Sequence, residues 1–138
     1  VRRALALSAL WLSACAGQAP ARSAEADRAR AESYAARADA ASAQGDVEAA
    51  LELATRALVV RIASSGPDSP EVGLSFVQLG DLRWRQGRRG WAAQSFGRAL
   101  ELFALEPERY AAWRTATRER LTAVCADIDE PAPACEQR

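Results

Sequence analysis

Side chains able to do chemistry are few in this chain and fall into three groups. Cys15, Cys125 and Cys135 offer thiols, Asp39 and Asp81 are a pair of carboxylates 42 positions apart, and Arg83-Trp84-Arg85-Gln86-Gly87-Arg88-Arg89-Gly90-Trp91 interleaves guanidinium with indole. What is missing limits all three. The 138 residues include no His, Lys or Asn, so a Ser-His-Asp triad, a Lys Schiff base, a His-ligated metal and an Asn oxyanion donor are excluded. Two carboxylates divide acid and base work only where an enclosed pocket pushes their pKa values apart, and a short helical array offers little enclosure. The basic segment spans a Gly-containing turn, and the formal net charge is +0 with a pI near 6.5, unlike domains that bind nucleic acid by neutralising phosphates. No catalytic residue, metal site, cofactor or nucleic-acid partner is therefore expected.

The elements that position these groups are expected to be helices. Hydrophobic residues make up 49% of the chain but aromatic ones only 7%, and much of the apolar content is Ala, the best helix former and small enough for close helix packing. The length suits one domain.

At the N-terminus, Arg2 and Arg3 precede an apolar run from Ala4 to Leu12, followed by Ser13, Ala14 and Cys15. A basic pair, a short apolar stretch and small residues in that order form a signal-peptide pattern. The run is too short to cross roughly 30 Å of hydrocarbon as a helix. Leu12-Ser13-Ala14-Cys15 resembles the lipobox of bacterial lipoproteins. The resemblance implies cleavage after residue 14 and acylation of Cys15 by chains such as palmitate. Three chains, at about 0.8 kcal/mol per buried methylene, give stable anchoring. Ala16 stands where an Asp commonly retains such proteins on the inner membrane, so the resemblance implies the periplasmic face of the outer membrane.

Past a small polar stretch with Pro20, the chain repeats. Shifted by 42 positions, residues 33–58 match 75–100 at Ser33/Ser75, Asp39/Asp81, Gln44/Gln86, Gly45/Gly87, Ala50/Ala92, Arg56/Arg98, Ala57/Ala99 and Leu58/Leu100. The better copy reads Phe76-x-x-Leu79-Gly80-x-x-Arg83, then Gly87, then Ala92-x-x-x-Phe96-x-x-Ala99. It resembles the tetratricopeptide repeat, with Arg83 in a slot usually held by Tyr. The period of 42 in place of about 34, and the Ser65-Gly66-Pro67-Asp68-Ser69-Pro70 connection, resemble the kinesin light chain type. The fold expected is all-α: a short right-handed array of antiparallel hairpins, two hairpins plus a C-terminal capping helix.

Gly80 and Ala92 should let the helices of one hairpin approach, Gly87 should turn the chain, and Phe76 and Phe96 should fill the space between helices. The first helix is expected from about residue 23 to 43. The second, opened by Gly45-Asp46, should end near 64. Ser69-Pro70-Glu71 reads as a capped helix start with Pro in the first turn, giving a third helix to about 86 and a fourth from about 89 to 105. Glu106-Pro107-Glu108 repeats the start signal for a fifth. On it, Trp113, Thr117, Leu121, Val124 and Ile128 make a stripe at helical spacing, and Trp113 falls at the repeat position of Tyr34 and Phe76.

The expected organisation is a signal peptide over 1–14, a lipidated Cys and tether over 15–22, a helical domain over 23–127 and a tail over 128–138. In an oxidising compartment Cys125 and Cys135 either close a disulfide over that tail, contributing roughly 2 to 4 kcal/mol, or remain free thiols. Through the repeat resemblance, the first helix of each hairpin lines a groove that holds a protein partner. By repeat position this places Asp39, Val77, Asp81, Trp84, Arg85, Arg114 and Arg118 in it. The function expected is a lipid-anchored interaction adaptor or assembly factor of the bacterial envelope, with a pilotin-like accessory subunit of a secretion or pilus machine as the alternative. Replacing Cys15 with Ala is expected to abolish labelling by a fatty-acid analogue and to move the protein from the membrane to the soluble fraction; unchanged membrane partition would overturn the anchor.

Overall fold

The computed structural model describes residues 19–128 and 132–136, and all the regular structure among them is helical. The proposed signal peptide and Cys15 lie outside the described residues. Six helices follow in order: α1 Ala19–Ala43, α2 Val47–Ser65, α3 Pro70–Arg85, α4 Arg89–Phe103, α5 Ala111–Ala126 and α6 Pro133–Glu136. α1 packs along α2 and α3 along α4 as two hairpins. α2 meets α3 and α4 meets α5 where successive units stack.

Turn chemistry explains the hairpins. Gly45 and Gly87 close the two hairpin turns at φ of +83° and +75°, a region that costs a side chain roughly 1 to 2 kcal/mol. Asp46 then caps α2, its Oδ1 accepting the backbone N–H of Ala49 at 3.0 Å, which satisfies one of the free donors at the helix start. The other expected cap differs. Pro70 does open α3, but the Ser69 hydroxyl makes no cap bond and donates to Ser65 Oγ at 2.8 Å.

Packing within each hairpin relies on what is small. In the first, Ala31, Ala38, Ala50, Ala54 and Ala57 are all fully buried, so α1 and α2 approach with little side-chain bulk between them. Leu79 and Leu82 from α3 join Ala38, Ala50 and Ala54 in one apolar cluster and so weld the hairpins together. In the second, Phe96 and Phe103 are fully buried and each lies directly over a glycine of α3. A Cβ on Gly80 would come within 2.5 Å of the Phe96 ring, and one on Gly73 within 2.6 Å of the Phe103 ring. Phe76 is only partly buried at the edge of this cluster. Phe103 thus joins Phe96 in filling the interhelical space, and Phe76 packs against them from the edge.

Three boundaries depart from expectation. α1 begins at Ala19, with Pro20 in its first turn where a missing N–H costs nothing, so the helix runs into the segment read as tether. Glu106-Pro107-Glu108 does not open a helix: residues 104–110 turn, and α5 starts at Ala111. The cause is Tyr110, 6% exposed, whose ring stacks on Phe103 with centroids 5.0 Å apart. Folding that ring onto the core uses the residues a Pro107 start would have made helical. The third departure is α6, one helical turn within the expected tail. The Cys125–Cys135 disulfide, 1.96 Å between sulfurs, joins it to α5, and it packs mainly on α4. On α5 the stripe packs inward: Thr117, Leu121 and Val124 are buried and Ile128 lies against the core, while Trp113 stays 45% exposed.

Gly80→Ala should destabilise the fold by about 1 to 3 kcal/mol, because the buried Phe96 ring has no room to yield. Gly90→Ala, in α4 with open space around the new methyl, should instead be neutral or stabilise by up to about 1 kcal/mol. Urea unfolding of both variants measures the contrast; equal shifts would show that the close approach does not limit packing.

Candidate protein-binding groove

One face of each of α1, α3 and α5 borders a common trough. Its central recess, of about 300 Å³, is lined by Ala35 and Asp39 from α1, Leu74, Val77, Gln78 and Asp81 from α3, Trp113 and Arg120 from α5, and Arg61 reaching in from α2. A second recess, of about 420 Å³, lies beside it among Asp81, Trp84, Arg85 and Arg120. The two share Asp81 and Arg120, whose carboxylate and guanidinium pair at 3.1 Å and form the ridge between them.

Polar side chains of α3, and that of Gln86 just past its end, hold this face to the first hairpin. Gln78 Nε2 donates to the Ala35 carbonyl at 2.8 Å and to Asp39 Oδ1 at 2.7 Å. Arg85 Nη1 donates to Ser42 Oγ at 2.6 Å, and Gln86 Nε2 to Glu48 Oε1 at 3.0 Å. Deeper in, Arg61 Nη1 donates to the hydroxyl of Ser75, which is fully buried. Burial lowers the pKa of Arg61, opposed by the carboxylates of Glu32 and Glu71. Burial likewise raises the pKa of Asp81; Asp39 adds to the rise, and the pairing with Arg120 and the nearby Arg85 oppose it.

Of the residues placed here from sequence, Asp39, Val77 and Asp81 meet around the central recess, and Trp84 and Arg85 flank the second. Val77 is 3% exposed and serves as floor. Arg118 does not face the trough: it borders a different recess, of about 710 Å³, with Gln94, Gly97 and Arg98 of α4. Arg114 is half-buried and borders neither groove recess. Their places are taken by Trp113 and Arg120. The repeat offset pointed one residue past Trp113 at Arg114, a rotation of about 100°, and two residues short of Arg120 at Arg118, about 200°. The signal for the pair that borders the recess lay in α5 itself, since Arg120 is seven residues, two turns, from Trp113 and so lies on the same side of the helix. Gln78 carried no sequence signal beyond its position between Val77 and Leu79.

A family model for the tetratricopeptide repeat matches residues 25–104, the span from α1 through the end of α4. The chain belongs to the tetratricopeptide repeat family. Comparison with curated proteins and with solved structures gave no match. Tetratricopeptide repeats generally act as scaffolds for protein–protein interaction, and the trough of this chain has the parts for that role: an exposed indole edge, charges of both signs and a bounded recess. No group of three or more metal-ligating side chains occurs among the described residues, and no described helix is long and apolar enough to cross a membrane.

Because its pKa is raised in the fold, Asp81 binds a proton more tightly folded than unfolded. Its contribution to stability is therefore complete below its ordinary value of 3.8 and declines as pH rises through the shifted value. In Asp81→Asn this decline should vanish. The stability of the native chain relative to the variant should fall as pH rises from below 3.8 through the raised value, as read from denaturant midpoints; a rise would reverse the assigned cause.

Proposed function

We propose that this chain is a lipid-anchored adaptor of the bacterial envelope, which holds a protein partner in the trough formed by α1, α3 and α5. The observation that carries the reading is the recess where Asp39, Asp81, Arg120 and Trp113 converge. An aromatic anchor beside charges of both signs gives a guest apolar area, orientation and discrimination, the combination that dominates protein interfaces. Asp81 and Arg120 are partly shielded from water, which makes pairing with a guest there stronger than at an open surface.

Anchoring and location rest on the leader: Arg2, Arg3, the apolar run and Cys15 in lipobox order. On this reading Cys15 is the acylated first residue of the mature protein, and the folded array sits close to the periplasmic face of the outer membrane. The Cys125–Cys135 disulfide supports an oxidising compartment, where such bonds persist. A tether shortened by the early start of α1 leaves few residues between the lipid and the array. The trough is then held near the bilayer surface, and a captured partner is concentrated there.

The test is a pull-down from detergent-solubilised envelopes with the native chain and an Asp81→Arg plus Trp84→Ala variant. Circular dichroism should first establish that the variant keeps its helices. The native chain should retain a defined partner that the variant loses by tenfold or more; capture of the same proteins by both would remove the trough as the binding site.

A further inference from the structure

The C-terminal turn lies on the opposite side of the second hairpin from the trough, and its seat is built for it. α6 packs on α4, where a Cβ on Gly97 would come within 2.9 Å of the Ala134 Cβ. Only the absence of a side chain at position 97 lets the turn come this close. Ala132, Ala134 and Cys125 pack against the cluster that contains Cys135, which is 8% exposed. With Pro133 in place, the turn also walls a recess of about 310 Å³ beside Trp91 and Gln94.

The side chains through which α6 and the residue before it pack on the core, Ala132, Ala134 and Cys135, are all small. A helix of four residues is far below the length at which helices persist alone. The one covalent tie it has to the array among the described residues is the bond from Cys135 to Cys125 on α5. The two residues differ in burial: Cys125 is partly buried and Cys135 is buried.

We propose that the disulfide is a redox-operated clasp, which keeps α6 over α4 when closed and exposes the Trp91, Gly97 and Leu121 side of the array when a dithiol opens it. A thiolate of the dithiol attacks Cys125 Sγ, forming a mixed disulfide and expelling Cys135 as a thiolate that takes up a proton. The second thiol of the reductant then attacks its own sulfur in the mixed disulfide. Cys125 leaves as a thiol and the reductant as its cyclic disulfide, so two electrons pass from dithiol to protein. Opening removes the closure of a ring of about ten residues, a constraint that shifts the balance between docked and released by about a hundredfold. The helical hairpins keep their own cores and remain folded. The proposal rests on the fold alone and stands whether or not the trough binds a partner.

The experiment uses the full chain reduced with dithiothreitol under native conditions, then pulsed with an alkylating reagent and read by peptide mass. If α6 is released, Cys135 reacts within about threefold of the rate of a free peptide thiol. An apolar dye gains fluorescence at the same time, and the far-ultraviolet helical signal is kept. Cys125→Ser, which cannot close the ring, should give the same Cys135 rate without any reductant. Slow alkylation of Cys135 in both samples would show that α6 stays docked without the bond and would overturn the clasp. Loss of the helical signal on reduction would overturn it equally, because the bond would then support the whole fold and gate nothing.

Discussion

Two glycines under two phenylalanine rings set the geometry of this protein. Gly73 and Gly80 lie seven residues apart on α3, two turns on one face, and Phe103 and Phe96 lie seven apart on α4, running the other way. Each ring occupies the space a Cβ would need, so the helices can neither slide nor rotate without a clash. That lock fixes which side of α3 is left over, and the leftover side carries Gln78 and Asp81 to the trough. It also propagates forward. Phe103 stacks on Tyr110 and lies 6.4 Å from Trp113, so the ring that seals the second hairpin also determines where α5 begins and which of its residues face inward.

Two of the buried polar residues, Ser75 and Ser95, sit where a guanidinium joins neighbouring helices, while Thr117 is buried in the core with no hydrogen-bond partner among the described residues. Arg61 to Ser75 joins α2 to α3, and Arg83 to Ser95 joins α3 to α4 at 2.6 Å with the guanidinium 5.7 Å from the Trp91 ring. Burial lowers the pKa of Arg83 as it does that of Arg61. Guanidinium suits such joints, because it stays charged when partly dehydrated and presents several donors in a fixed plane. The remaining ion pairs, such as Arg98 with Asp68 and Arg89 with Asp127, lie at the surface, where each contributes about 1 kcal/mol or less.

Much of the array was legible because its signals are local. Gly45-Asp46, Gly87 and Pro70 specify turns and starts by their own stereochemistry, and the 42-residue offset repeats them. Gly80 was legible through its motif, but Gly73 was not, since its need arises only from the Phe103 ring thirty residues later. The start of α5 was misread for a similar reason: Pro107 is a sound local start signal, and a long-range contact of Tyr110 overrides it. Within the trough, Asp39, Val77 and Asp81 followed from the repeat because α1 and α3 keep the repeat spacing. Arg114 and Arg118 did not follow, because α5 enters through a different turn and is rotated. Cys125 and Cys135 offered pairing as one of two options, yet nothing in Pro133-Ala134-Cys135-Glu136 announced a helical turn.

The bonds that span the trough from α3 to the first hairpin all start from the tips of long side chains. Gln78, Arg85 and Gln86 reach Asp39, Ser42 and Glu48, while the welding contacts of Leu79 and Leu82 lie beneath them. Such an arrangement behaves like a hinged clip with an oily pivot and watery jaws. Its rest width is set by side-chain length. Opening the jaws costs a few exchangeable bonds and leaves the pivot intact, so the trough can widen without loosening the array beneath it.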